Sequence, residues 1–180
     1  GQLEKALKAS GFFDVVEVAI GADITADKEA HEFEERMEKG ELLMTTSCCP
    51  AYVRAVKLHV PELLPCVSDT RSPMHYTAEL VKKENPDCIS VFIGPCLAKR
   101  KEGQDDEYVD YVLSVEEIGA LFIAKEIDIA KQVVEDCEGC KKPTASGRNF
   151  AVTGGVAEAV KVRLKSPEKL RPAVINGLDK

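Results

Sequence analysis

Residues 88–94, Cys-Ile-Ser-Val-Phe-Ile-Gly, are the segment that most constrains the fold. A run this short and this apolar fits a strand covered on both faces, as in a parallel sheet between helices. The rest of the chain alternates around it. Residues 3–10 predict a short helix stopped by Gly11, and residues 13–20 (FDVVEVAI) a strand. Residues 27–39 predict a helix with Ala30, Phe33 and Met37 on one face and Gly40 as its stop. LLMT at 42–45 reads as a short buried strand. Pro50 stands where a first helical residue would, ahead of Val53, Val56 and Val60, and Ser72-Pro73 opens another helix.

Beyond the central strand, a charged loop is expected at 98–107 and a second strand at YVDYVLS, 108–114. Ser114 and Glu117 then form an S-x-x-E capping box for the next helix. A helix is expected from about Ile127 to Glu135, followed by a polar loop over 137–147. FAVT at 150–153 leads through Gly154-Gly155 into a helix expected from about Val156 to Leu164. This order predicts an α/β fold, a mostly parallel twisted sheet with helices on both faces.

Composition narrows the function. The 180 residues carry a formal charge of −7, with both signs interspersed through the 31% that are charged. That argues against a disordered polyelectrolyte and against nucleic acid as a partner. Trp is absent and aromatic residues make up 6%, too few for base-stacking platforms. No apolar run approaches the roughly 20 residues of a membrane span. No secretory signal is visible at Gly1, so a reducing, cytoplasmic setting is expected.

In such a setting the seven cysteines are metal ligands, catalysts or buried hydrophobes, and an odd number cannot pair completely. Cys66 and Cys88, isolated in apolar stretches, read as buried hydrophobes. T-T-S-C-C-P at 45–50 and G-P-C-L-A-K-R at 94–100 each follow an expected strand and precede a turn or helix. Ligands of open α/β sheets bind at that carboxyl edge. Cys49 and Cys96 are therefore expected to project from the same edge of one sheet, with Lys99 and Arg100 favouring an anionic centre between them. Adjacent Cys48 and Cys49 point apart, which suggests one ligand and one free thiol. Cys137-Glu138-Gly139-Cys140 is a C-x-x-C without a second, and the three histidines lie far upstream.

Taken together, TSCCPAYVR, HVPELLP, SDTRSP, VFIGPCLAKRKE, DYVLSVEEI and AVTGGVAEAV resemble, in order and interval, the catalytic domain of the iron-only (FeFe) hydrogenase large subunit. The resemblance implies reversible H₂ oxidation and proton reduction at an H-cluster, a 4Fe–4S cubane bridged by a cysteine to a two-iron subcluster. It implies Cys49 and Cys96 as two of the four cubane ligands and Cys48 as the thiol that passes protons. Lys99 would donate to a cyanide ligand of the two-iron unit. Glu29 and Glu32 fall where the family has carboxylates of its proton path, and Ser68 where it has a relay serine. The electron partner would be ferredoxin or attached iron–sulfur domains. Thiolate ligation and graded acid–base relays both suit this chemistry.

Three departures stand out. Gly94 occupies a position where hydrogen-producing members usually carry Met, and Tyr52 one where they usually carry Trp. The family's third motif, which supplies the other two ligands, would lie past Lys180, and Cys137 and Cys140 do not fit it. The expectation is a first α/β lobe over 1–147 and the truncated start of a second over 148–180. Such a fragment would be inactive alone, its cofactor absent or incomplete. Two alternatives accompany this reading: a sensory hydrogenase-like module, and a non-catalytic iron–sulfur assembly factor.

Overall fold

The structure is a computed structural model that describes residues 1–133 and 142–173. Cys137 and Cys140 lie outside the described residues. The chain divides into two compact units, each assembled from two stretches of sequence. One holds Gly1–Glu17 and Val81–Lys142, and the other Val18–Leu80 and Pro143–Lys180.

The first unit contains the sheet. Strand β1 (Val91–Gly94) pairs in parallel with β2 (Tyr111–Ser114), in the register Val91 to Tyr111 through Gly94 to Ser114. Helix α1 (Gln2–Ser10) packs Ala6 and Leu7 against Ile118 and Phe122 of helix α6 (Val115–Ala124). Ile93 and Leu113 of the strands join that core. Gly11 ends α1 as predicted, at φ 114°, a left-handed conformation that a side chain would strain. The capping box also forms: Ser114 Oγ accepts from the Glu117 amide at 3.2 Å, and Glu117 returns a carboxylate to the Ser114 amide at 2.8 Å.

Three expectations fail here. β1 is half-buried along Val91–Ile93, because among the described residues the sheet has only two strands. The expected charged loop contains helix α5 (Lys99–Gln104), stabilised by Lys99–Glu102 and Lys101–Asp105 ion pairs at helical spacing. The expected helix at 127–135 is a 3₁₀ turn at Ile129–Lys131 in its described part.

The second unit is built on helix α2 (Ala19–Glu38). It starts eight residues earlier than its periodicity suggests and takes in the end of the stretch read as a strand. Gly21 permits this start, since a Cβ there would lie 2.2 Å from the Pro73 carbonyl oxygen. The rest of FDVVEVAI is irregular, and Phe13, in the first unit, is 97% exposed. LLMT also fails as a strand. Only Thr45 makes a parallel bridge, to Val67, and Leu42 is 95% exposed.

Helices α3 (Pro50–His59) and α4 (Pro73–Glu84) start at their prolines as predicted. Cys66 closes a 3₁₀ turn at Pro61–Cys66 and is half-buried, as is Cys88 in the first unit. FAVT forms a turn. It joins helix α7 (Ala145–Arg148) to helix α8 (Gly155–Lys161), which buries Ala159 and Val160 against Ala22, Ala26 and Ala30 of α2. Arg163 clamps this packing, donating to Asp23 at 2.6 Å, Asp27 at 2.5 Å and Ser146 at 3.0 Å. Thr144 adds its amide and hydroxyl to the same Asp23 carboxylate.

Candidate functional site

The site is built outward from two carboxylates one turn apart on α2. Glu29 is 0% exposed. Its Oε1 accepts from the Ser47 amide at 3.4 Å, while Oε2 is buried with no hydrogen-bond partner. Burial pushes its pKa up to about 7, with the Glu32 charge adding to the rise and the Ser47 amide opposing it. An acid so placed exchanges protons near neutral pH.

Glu32 has the opposite environment. Arg36, one turn further along α2, donates from Nε at 2.9 Å to Oε1, and the Asp69 amide reaches the same oxygen at 3.1 Å. Ser68 and Thr70 donate their hydroxyls to Oε2 at 2.5 and 3.0 Å. Partial burial raises the pKa of Glu32, but the Ser68, Asp69, Thr70 and Arg36 donors outweigh it and hold the carboxyl below its ordinary range. Neighbouring carboxylates are thus driven apart in acidity by environment alone.

Cys48 is half-buried beside Ala22, Ala26, Phe150 and Ala159, and follows the residue whose amide meets Glu29. Cys49 is exposed at the N-cap of α3. Cys96 is exposed just past β1 in the other unit, and its carbonyl accepts from the Lys99 amide at 3.2 Å. The Lys99 ammonium is 2.6 Å from Glu102. Each of the two cysteines has its own local setting. Cys96 follows the β1–β2 pair, whereas Cys49 follows the isolated Thr45–Val67 bridge.

The predicted relay residues Glu32 and Ser68 are in direct contact, and Glu29 meets the backbone beside Cys48. Glu29 accepts from the Ser47 amide, whereas the Ser68 hydroxyl donates to Glu32. Arg36 and Thr70 were not among the predicted site residues. The i, i+4 spacing of Glu32 and Arg36 was a readable signal. Nothing local marks Thr70, which the fold brings to Glu32 across 38 positions.

As donors toward an iron–sulfur group, Cys49 and Cys96 are exposed thiols outside any disulfide, the right chemistry for thiolate ligation. Among the described residues no group of three or more His, Cys, Asp and Glu is placed to hold a metal ion. The fit is therefore tested for each thiol by itself. Among the described residues no helix is long and apolar enough to cross a membrane.

A family model described as "Iron only hydrogenase large subunit, C-terminal domain" matches residues 1–178. The chain is 31% identical to the periplasmic [Fe] hydrogenase large subunit of Nitratidesulfovibrio vulgaris, over 99% of this chain and 48% of that protein. It is 28% identical to a cytosolic Fe-S cluster assembly factor of Kluyveromyces lactis, over 76% of this chain and 29% of that one. In structure it resembles the [FeFe]-hydrogenase HydA1 of Chlamydomonas reinhardtii, with a TM-score of 0.73, 28% identity, and coverage of 90% of this chain and 46% of that one. The chain spans about half the length, or less, of these relatives. On the match over nearly its whole length, the chain belongs to the family formed by the C-terminal domain of iron-only hydrogenase large subunits.

Proposed function

We propose that the chain is part of a hydrogenase catalytic domain that interconverts H₂ with protons and electrons, and that Glu29, Ser68 and Glu32 carry protons between Cys48 and solvent. The observation that supports this is the split of the two carboxylates. Glu29 is sealed from water and poised near pH 7, while Glu32 is held ionised with a serine hydroxyl on its Oε2. A relay needs such a pair, an inner group that both takes and gives a proton at neutral pH and an outer group that accepts it. Ser68 passes a proton to Glu32 as it receives another on its oxygen.

Cys49 and Cys96 would hold an iron–sulfur cluster, and Lys99 would place its positive charge near that centre. The cluster, when bound, would pass electrons to or from an electron carrier and provide the site of hydrogen activation. Electrons would come from ferredoxin or attached iron–sulfur domains, in the cytoplasm.

The assembly-factor relatives support a second reading, in which cluster ligands are kept and hydrogen chemistry is not. The two readings separate in the matured full-length parent, assayed anaerobically for iron, sulfide, EPR signals and H₂ turnover. The catalytic reading expects a cluster signal with turnover that falls by orders of magnitude in Cys48→Ala and Glu29→Gln. A cluster signal with no turnover in the wild type refutes it, leaving the assembly factor or the sensory module.

A further inference from the structure

The Glu32 carboxylate receives one more hydroxyl than a single relay serine requires. Ser68 Oγ and Thr70 Oγ1 converge on the same oxygen, Oε2, at 2.5 and 3.0 Å. The Thr70 amide also donates to Ser68 Oγ at 3.0 Å, which leaves the Ser68 hydrogen directed at Glu32. The Thr70 carbonyl in turn accepts the hydroxyl of Ser47, whose amide meets Glu29. Thr70 therefore touches the outer carboxylate, the serine and the loop at the inner carboxylate with three different atoms.

We infer that Thr70 is a positioning residue for the proton path: its hydroxyl holds Glu32 Oε2 in place, and its amide aims the Ser68 hydroxyl at that same oxygen. This rests on the relay reading above. A hydroxyl that donates to a carboxylate stabilises the ionised form, and loses that partner's favour once the carboxyl is protonated. Without the Thr70 hydroxyl, Glu32 keeps a proton to higher pH and accepts the next one less readily.

Other groups face Glu32 as well. Arg36 and Glu29 lie on its own helix, Asp69 sits on the facing segment, and Glu41 acts through its ion pair with Arg36. Asp27, Lys28, His31, Glu35 and Tyr76 line the surface hollow into which Glu32 and Thr70 open. None of these is altered by replacing Thr70, so a change in the titration of Glu32 reports the hydroxyl itself.

The test uses the matured full-length parent. Infrared difference titration follows the protonated-carboxyl band that Glu32→Gln abolishes. In Thr70→Val, which keeps the shape and loses the hydroxyl, that band is expected to persist to higher pH than in the wild type. Thr70→Ser is expected to restore the wild-type titration. A band at its wild-type position in Thr70→Val overturns the inference, and Thr70→Ala repeats the measurement if the valine variant does not fold.

Turnover separates this from the relay reading. If the relay holds, the acid limb of the kcat profile moves to higher pH with the band, with KM for H₂ unchanged. If the band moves while kcat does not, Thr70 positions Glu32 as inferred and it is the relay reading that fails.

Discussion

Glu29 offers a stability prediction that needs no cluster and no assay of hydrogen. Its pKa in the folded chain is about 7, against an ordinary 4.5. Between those values the folded state binds a proton that the unfolded state has released, so stability falls as pH rises through that window and levels off above it. Each tenfold change in acidity corresponds to about 1.4 kcal/mol, and the full span to about 3 kcal/mol. Glu29→Gln should remove this loss. The glutamine oxygen still accepts from the Ser47 amide, and its nitrogen takes the place of an oxygen that already lacks a partner.

Denaturant unfolding at pH 5 and pH 8 measures the effect. The variant should match the wild type within about 1 kcal/mol at the lower pH and exceed it by about 3 kcal/mol at the higher one. A variant with the same pH dependence as the wild type would refute the reasoning, because Glu29 would then be ionised and compensated in the fold.

Two further outcomes are expected. Thr45 Oγ1 is buried with no hydrogen-bond partner, so Thr45→Val should be neutral or raise stability by about 1 kcal/mol in the same unfolding assay. Asp23→Ala should cost about 3 kcal/mol near neutral pH by breaking the Arg163 and Thr144 contacts. Burial opposes the ionisation of Asp23, but Thr144 and Arg163 outweigh it and hold its pKa below the ordinary value. Its contribution is present above pH 3.8 and is lost as pH falls through the lower folded value, so the deficit of Asp23→Ala should shrink in acid.

Helix starts were the most legible part of the fold. Pro50, Pro73 and the Ser114–Glu117 box act through contacts within one turn, which sequence displays directly. Strands were less legible. Residues 13–20 and 42–45 carry apolar patterning, yet a strand exists only where another segment pairs with it, and here 91–94 and 111–114 do so. At the site, the carboxylate pair on α2 and the cysteines were visible as a resemblance and as spacing. The donors that differentiate Glu29 from Glu32 come from residues 47, 68, 69 and 70, which only the folded backbone brings to the helix. The clamp from Arg163 to Asp23 spans 140 positions and had no local signal.

The interleaving of the two units has a consequence for synthesis. Helix α1 is made well before its buried partners Ile118 and Phe122, which follow more than a hundred residues later. Helix α2, with the carboxylates, waits longer still for Ala159, Val160 and Leu164. Neither unit can close its core until its second stretch of sequence has been made, and contacts of such sequence separation slow folding. The nascent chain therefore holds the apolar α2 face, and the Cys48 thiol that packs on it, open until residues 159–164 are made. That interval is when a chaperone or a premature thiol oxidation would act on it.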